Sequence, residues 1–190
     1  MQEAHRALTI GYGNRTIDEF LQILRNYDVS FLLDVRSSPY SRFSPAFNKD
    51  ILEAACRGAG IRYLFVGDQL GGRPRSDSCY DSEGRVDYVK LAQEDYFREG
   101  ITRLNTAISK GISFALMCSE LRPEECHRSK LIGEALKRLD IQIRHIDADG
   151  SLVDQSAVID RITGGQDDLF GLNIAVSRSR GSYRTQQTND

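Results

Sequence analysis

The chain has 190 residues, of which 40% are hydrophobic and 27% are charged, and its formal net charge is −2. This composition is ordinary for a globular protein, and the charge excludes a general basic field that would hold the molecule on nucleic acid or anionic membrane. No apolar run approaches the roughly 20 residues of a membrane span, and the N-terminus lacks the apolar segment of a signal peptide. We therefore expect a cytoplasmic protein with no membrane partner.

Four cysteines are too few, in a chain of this length, to indicate a disulfide framework. Without an export signal they are expected to be thiols in a reducing compartment. Cys56 lies on the apolar face of a predicted helix and is expected in the core, whereas Cys79 lies in a polar loop and is expected to be exposed. Cys118 and Cys126 belong to a distinct motif described below.

Five short, nearly continuous apolar runs predict strands that are covered on both faces, at residues 7–12, 30–35, 61–66, 113–118 and 141–146. Between them the apolar residues recur at helical spacing. The first helix begins at a capping box formed by Thr16 and Glu19, and four further helices are predicted around Leu52, Ile101, Leu131 and Val158. The alternation predicts an α/β fold, specifically a Rossmann-like three-layer sandwich with a mostly parallel sheet of about five strands.

One α/β domain is predicted over residues 1–163, followed by a polar tail over residues 164–190 that is partly disordered. The last dozen residues are expected to lack fixed structure. Residues 67–87 form a long, glycine-rich polar stretch, and such a stretch within a compact domain is usually functional or disordered. Residues 71–87 and the last dozen residues should therefore be the least ordered parts of the chain.

In an open parallel sheet, ligands bind beyond the carboxyl ends of the strands. Counting strands along the sequence, we predict the order 3-2-1-4-5, which places the loop after the first strand beside the loop after the fourth. The loops that follow strands one, two and four should line one pocket, because glycines there admit close backbone approach and arginines bind phosphate or carboxylate. The predicted anion-binding residues are Gly11, Gly13, Asn14, Arg36, Ser37, Arg42 and Arg128.

Four strings in these positions carry a resemblance to a known family: Thr9-Ile-Gly-Tyr-Gly13, Asp34-Val-Arg-Ser37, Leu70-Gly-Gly72, and Cys118-Ser-Glu120 followed by Cys126-His-Arg128. Their sequence and order resemble the domain of unknown function 488 family from about Thr9 to Ile146. The resemblance implies an intracellular prokaryotic protein with a Rossmann-like α/β fold. It does not imply a reaction.

The cysteine loop offers four candidate catalytic residues, Cys118, Glu120, Cys126 and His127, and its chemistry has several interpretations. With the helix predicted to begin near residues 124–126, Cys126 would lie in a first helical turn that favours thiolate. Cys126 or Cys118 would then be a reactive thiolate, a nucleophile or redox centre, with His127 as acid/base partner. Alternatively, the free amides of that turn would bind phosphate together with Arg128, Arg36 and Arg42. In the plainest interpretation both cysteines are small packing residues and His127 caps the helix.

A metal site is a further interpretation, with Glu120 as a possible fourth ligand. The spacing Cys-x7-Cys-His matches no standard zinc pattern, and adjacent Cys126 and His127 side chains would point apart on a helix. We therefore predict no metal ligands, and no cofactor is identified.

The leading hypothesis is an enzyme that acts on an anionic, phosphate-bearing substrate, a nucleotide or nucleic-acid component, in a cleft lined by cysteine, histidine and arginine. One alternative is a non-enzymatic module that binds nucleic acid or a phosphorylated ligand. Another is a thiol redox or metal-binding protein. The expected partner is an anionic small molecule or nucleic-acid component, and the sequence does not predict the oligomeric state.

Overall fold

A computed structural model describes residues 7–165 and 174–184. Within these residues the strands are β1 (Ala7–Gly11), β2 (Phe31–Asp34), β3 (Arg62–Phe65), β4 (Arg85–Asp87), β5 (Phe114–Cys118), β6 (Arg144–Ile146), β7 (Leu152–Asp154) and β8 (Arg178–Ser182). The helices are α1 (Ile17–Asn26), α2 (Lys49–Gly58), α3 (Gly67–Leu70), α4 (Tyr88–Leu91), α5 (Asp95–Ser109), α6 (Glu134–Lys137), α7 (Gln155–Thr163) and α8 (Ile174–Ser177). Short 3-10 turns lie at Pro45–Phe47, Asp77–Cys79 and Pro123–Glu125, and a π-helical segment, Arg128–Gly133, leads into α6.

The five predicted strands correspond to β1, β2, β3, β5 and β6, but their predicted order is wrong. The sheet runs β3-β2-β5-β1-β6-β7, so that β5 lies between β1 and β2. Neighbouring strands from β3 to β6 in this order are parallel, while β7 lies at the edge and is antiparallel to β6. With β5 at the centre, the cysteine loop that follows it has the β1 loop on one side and the β2 loop on the other.

Helices cover both faces of the sheet, so the fold is a Rossmann-like three-layer α/β sandwich. Alternate residues of a strand point to opposite faces, and β5 shows this division: Phe114 and Leu116 pack toward α5 and α6, while Ala115 and Met117 pack toward α1 and α2. The predicted capping box is present at the start of α1, where the Glu19 amide donates to the Thr16 hydroxyl and the Glu19 carboxylate accepts from the Thr16 amide.

One expectation about the irregular segments is wrong. Cys79 is fully buried, not exposed, and Val86 in β4 is also fully buried, so the stretch after α3 does offer apolar residues to the core. The tail contributes β8, which pairs antiparallel with β4, and residues 179–184 of the last dozen therefore have a defined structure. Residues 185–190, which belong to the same expectation, lie outside the described residues.

Candidate functional site

One cleft of about 550 Å³ opens at the carboxyl edge of the sheet. Its floor includes Cys118, Glu120 and His127 from the cysteine loop, and its wall includes Arg36, Ser37 and Arg42 from the β2 loop. The β1 loop contributes Tyr12. The three loops predicted to share a pocket thus meet at one cleft, because β1, β5 and β2 are neighbours in the sheet.

The cysteine loop owes its shape to a break between two helical segments. Pro123 begins a 3-10 turn that ends at Glu125, and Cys126 is then extended, with φ −121° and ψ 149°. The π-helical segment begins only at Arg128. The prediction that Cys126 occupies a first helical turn is therefore wrong. Because the backbone of Cys126 is extended and not helical, the side chains of Cys126 and His127 do not diverge as they would on a helix. Both side chains contact Cys118.

The two thiols and the imidazole form a compact buried cluster. His127 Nδ1 lies 3.5 Å from Cys118 Sγ and 3.6 Å from Cys126 Sγ. The three candidate ligand atoms lie within 4.8 Å of one another. The expectation that Cys126 and His127 would point apart is wrong, and with it the geometric argument against a metal site.

Backbone groups fix the orientation of the cluster. His127 Nε2 lies 3.1 Å from the carbonyl oxygen of Val35, so that Nε2–H donates there and Nδ1 is left facing the sulfurs in the neutral ring. The backbone N–H of Arg128 donates to Cys126 Sγ over 3.4 Å. Gly72 packs on the imidazole, where a Cβ atom would lie 2.6 Å from the ring carbon. These contacts hold the ring in one position.

Electrostatics place the negative charge of the cluster on Cys118. Burial by itself would raise the pKa of the Cys118 thiol, but a hydrogen bond from Cys126 and the charge of His127 bring that pKa well below its ordinary value. Burial and the neighbouring Cys118 raise the pKa of Cys126 well above the usual range. The two shifts favour deprotonation of Cys118 before Cys126.

Glu120 and His127 both hold protons more strongly because of Cys118. Glu120 Oε2 lies 2.9 Å from Cys118 Sγ, and burial together with the charge of Cys118 raises the pKa of this carboxyl. Burial opposes protonation of His127, but the charge and hydrogen bond of Cys118, the charge of Glu120 and the Val35 carbonyl together raise the pKa of His127. Two groups with raised pKa values therefore flank Cys118 at the floor of the cleft, which is an arrangement suited to proton transfer.

Arg36 is a buried arginine at the wall of the cleft. Its Nε and Nη2 donate to the two carboxylate oxygens of Asp34 over 2.9 and 2.6 Å, and Nη2 also donates to the carbonyl of Phe47. Although burial opposes the charged form, Asp34 raises the pKa of Arg36 above its ordinary value. Within the described residues its Nη1 has no hydrogen-bond partner. Asp34 thus holds the guanidinium of Arg36 in the wall of the cleft.

Arg128 does not line the cleft, contrary to the prediction that it faces the same ligand as Arg36. Its side chain is fully buried, and Nη1 and Nη2 donate to the backbone carbonyls of Glu120 and Leu121 over 2.7 and 2.9 Å. Gly11 allows the cysteine loop to pack closely against β1, since a Cβ atom there would lie 1.7 Å from the Glu120 carbonyl oxygen. Both residues hold the cysteine loop in place instead of contacting a ligand.

Gly13 and Asn14 also lie away from the cleft. Gly13 has φ +50° and packs against Leu121, which explains the glycine by backbone conformation and close contact. Asn14 lines a separate, shallower depression together with Arg15. The anion-binding prediction for the β1 loop therefore does not match the geometry, and Tyr12 is the β1-loop residue that reaches the cleft.

Several cleft residues were not among the predicted site residues. Arg73 lies within the glycine-rich stretch and Tyr88 directly follows it, while Arg180 and Tyr183 come from the tail, where β8 brings them over the cleft. Residues 178–182 contain none of the β-branched or aromatic residues that signal a strand, so no local pattern indicated β8. Nothing local indicated that β8 would pair with β4, nearly 100 residues earlier.

The described residues define a Rossmann-like α/β protein with a buried cysteine and histidine cluster at the floor of a cleft lined by arginines. Residues 16–135 match the family described as domain of unknown function DUF488, and the chain belongs to that family. No curated protein and no solved structure matches the chain. Among the residues described, no helix is long and apolar enough to cross a membrane.

Proposed function

We propose that the protein is an enzyme that acts on an anionic, phosphate-bearing substrate of about mononucleotide size, bound in the cleft above Cys118. The observation that carries this proposal is that unpaired arginines and a proton-transfer group line the same cleft. Arg42 and Arg73 have no carboxylate partner in the described part of the chain, and both line the cleft with Glu120. The volume of about 550 Å³ is within the usual range of small-molecule sites.

The rim is suited to a substrate that carries both a phosphate and an aromatic group. Arg73 lies over the ring of Tyr183 at 4.0 Å and Arg42 over the ring of Phe43 at 5.1 Å. Phe43 and Tyr40 are exposed large hydrophobic side chains, at 84% and 56%. Arginine guanidinium groups bind phosphate oxygens in pairs, and exposed aromatic rings stack on bases, so a nucleotide or nucleic-acid component fits both.

Glu120 is the group we assign to proton transfer. It faces the cleft, and its raised pKa keeps the carboxyl protonated closer to neutral pH than an ordinary glutamate. A carboxyl in that state can donate a proton to a leaving oxygen and take one back from water. Cys118 Sγ lies 2.9 Å from this carboxyl and contributes to its raised pKa.

Anion binding tests the proposal first. Inorganic phosphate, a mononucleotide and a short oligonucleotide should each raise the melting temperature in a concentration-dependent way, with the largest rise for the preferred ligand class. Arg42→Gln and Arg73→Gln should each weaken the ligand-induced stabilisation by about 1.5–3 kcal/mol, the range for a hydrogen bond to a charged group. Arg98→Gln, on the exposed face of α5, is the matched control and should respond like the parent protein.

Alkylation then tests where the anion binds. In protein treated with a chelator, iodoacetamide should modify Cys118, and saturating phosphate or nucleotide should slow that modification several-fold. Glu120→Gln should keep the anion-induced stabilisation while abolishing phosphate release from any ester found to turn over. Equal stabilisation of the parent, Arg42→Gln and Arg73→Gln proteins, without protection of Cys118, would contradict the proposal.

A further inference from the structure

The spacing of the buried cluster matches the ligand spacing of a tetrahedral metal ion. A zinc ion with bonds of about 2.3 Å to sulfur and about 2.0–2.1 Å to nitrogen holds those two atoms about 3.5 Å apart. His127 Nδ1 lies 3.5 Å from Cys118 Sγ and 3.6 Å from Cys126 Sγ. The two sulfur–nitrogen edges of a tetrahedron are therefore already formed by Cys118 and the adjacent residues Cys126 and His127.

The surroundings of the cluster are also those of a metal site. Nε2 of His127 is used by the Val35 carbonyl, which directs the lone pair of Nδ1 toward the sulfurs, and metal-binding histidines are usually held in this way. The backbone N–H of Arg128 donates to Cys126 Sγ, so this sulfur already accepts a hydrogen bond from outside the cluster. Gly72 leaves the imidazole no room to turn away.

Charge supports a cation at this position. The three residues are buried, at 4%, 2% and 8% exposure for Cys118, Cys126 and His127. Metal binding requires both cysteines to be deprotonated, and two thiolates at such depth then need a compensating charge. The guanidinium of Arg128 is directed instead to the carbonyls of Glu120 and Leu121. A divalent cation would balance two thiolates.

We propose that Cys118, Cys126 and His127 bind one thiophilic divalent cation of the zinc type, with the fourth coordination position open to the cleft beside Glu120. Two thiolates and one imidazole are ligands that zinc accepts, and three protein ligands with an open fourth position are typical of catalytic zinc sites. Cys118 and His127 line the cleft while Cys126 lies behind them, so the open position faces the bound anion. That last point rests on the proposed function, whereas the three-ligand site does not.

Cobalt titration tests the site in the full-length chain. Reduced protein stripped with a chelator and titrated with Co²⁺ should develop a thiolate-to-cobalt absorption band and tetrahedral d–d bands that saturate at one equivalent. Zinc should displace the cobalt. Cys118→Ser, Cys126→Ser and His127→Gln should each lower the affinity by at least about a hundredfold, more than the loss of an outer hydrogen-bond partner. Cys79→Ser, which changes a buried thiol outside the cluster, should titrate like the parent protein.

X-ray absorption of the zinc-loaded parent protein tests the same site without relying on a variant that folds. The expected spectrum has two sulfur neighbours at about 2.3 Å and nitrogen or oxygen neighbours at about 2.0–2.1 Å. A spectrum with only nitrogen and oxygen neighbours, or cobalt bands unchanged in Cys118→Ser and Cys126→Ser, would overturn the proposal. Phosphate-induced stabilisation is measured separately on chelator-treated protein, so a failure of the anion cleft and a failure of the metal site are distinguishable.

Discussion

Two buried arginines next to the cleft, Arg36 and Arg128, have different partners and different consequences. Arg36 pairs with the carboxylate of Asp34 and lines the cleft, whereas Arg128 donates to two backbone carbonyls and does not. In the sequence both follow a strand and both were predicted to hold an anion. Their difference shows that an arginine near a motif residue can build the loop that carries the site without contacting the ligand.

The largest loss of stability is expected when Asp34, the partner of Arg36, is changed. Asp34→Asn removes the counter-charge of Arg36 in the interior, and an uncompensated buried charge costs about 3–5 kcal/mol of the free energy of unfolding. Urea unfolding measures this loss. The control is Asp95→Asn, whose partner Arg98 is exposed, and there the change should stay within about 0.5 kcal/mol. Equal losses in the free energy of unfolding for Asp34→Asn and Asp95→Asn would show that removing Asp34 leaves no uncompensated buried charge on Arg36.

Arg128→Gln should destabilise the protein without changing its response to phosphate. It removes charge-assisted hydrogen bonds to the Glu120 and Leu121 carbonyls, and we expect a loss of about 2–3 kcal/mol in the free energy of unfolding. Because Arg128 does not line the cleft, the rise in melting temperature with phosphate should match that of the parent protein. A preserved stability with a lost phosphate response would place Arg128 at the ligand and reverse the assignment.

Arg128 also acts on a titrating neighbour, His145. This histidine is fully buried, accepts from the Thr9 hydroxyl at Nδ1 and donates from Nε2 to Gln155 Oε1. Burial first, and then the charge of Arg128, lowers the pKa of His145 to about 4. Below pH 6.5 the unfolded chain takes up a proton that the folded chain refuses, so stability falls as the pH drops from about 6.5 toward 4.

Between pH 7.5 and pH 5, the lowered pKa of His145 should reduce the free energy of unfolding by about 2 kcal/mol. His145→Gln keeps neutral donor and acceptor groups for Thr9 and Gln155, and it should remove this part of the pH dependence. Urea unfolding of both proteins at pH 7.5 and pH 5 gives the difference. Parallel losses in the two proteins would show that His145 does not titrate between these values.

The sequence predicted much of the fold because local patterns carry that information. The five strands of the parallel sheet and the capping box at Thr16 and Glu19 follow from apolar periodicity and from end-of-helix chemistry. The strand order was wrong because each central strand is apolar on both faces, and nothing local states which neighbour it has. The β4–β8 ribbon was missed for the same reason, since its pairing depends on residues far apart in the chain.

The position of the candidate site was predicted better than its geometry. Cys118, Glu120, His127, Arg36, Ser37 and Arg42 were brought together at one cleft. The cluster of Cys118, Cys126 and His127 was discounted as a metal site on the assumption of a regular helix, but Cys126 is extended before a π-helical segment. One backbone conformation therefore decided whether two adjacent side chains converge, and residue spacing alone does not encode it.

A crystal of the 190-residue chain soaked in sodium tungstate, a heavy analogue of phosphate, tests the central claim most directly. The account predicts one dominant anomalous peak in the cleft, within hydrogen-bond distance of Arg42 or Arg73 and above Cys118 and Glu120. The Arg42→Gln, Arg73→Gln double variant should lose that peak. A dominant peak beside Arg128 or in the depression at Asn14 and Arg15, with the cleft empty, would contradict the account.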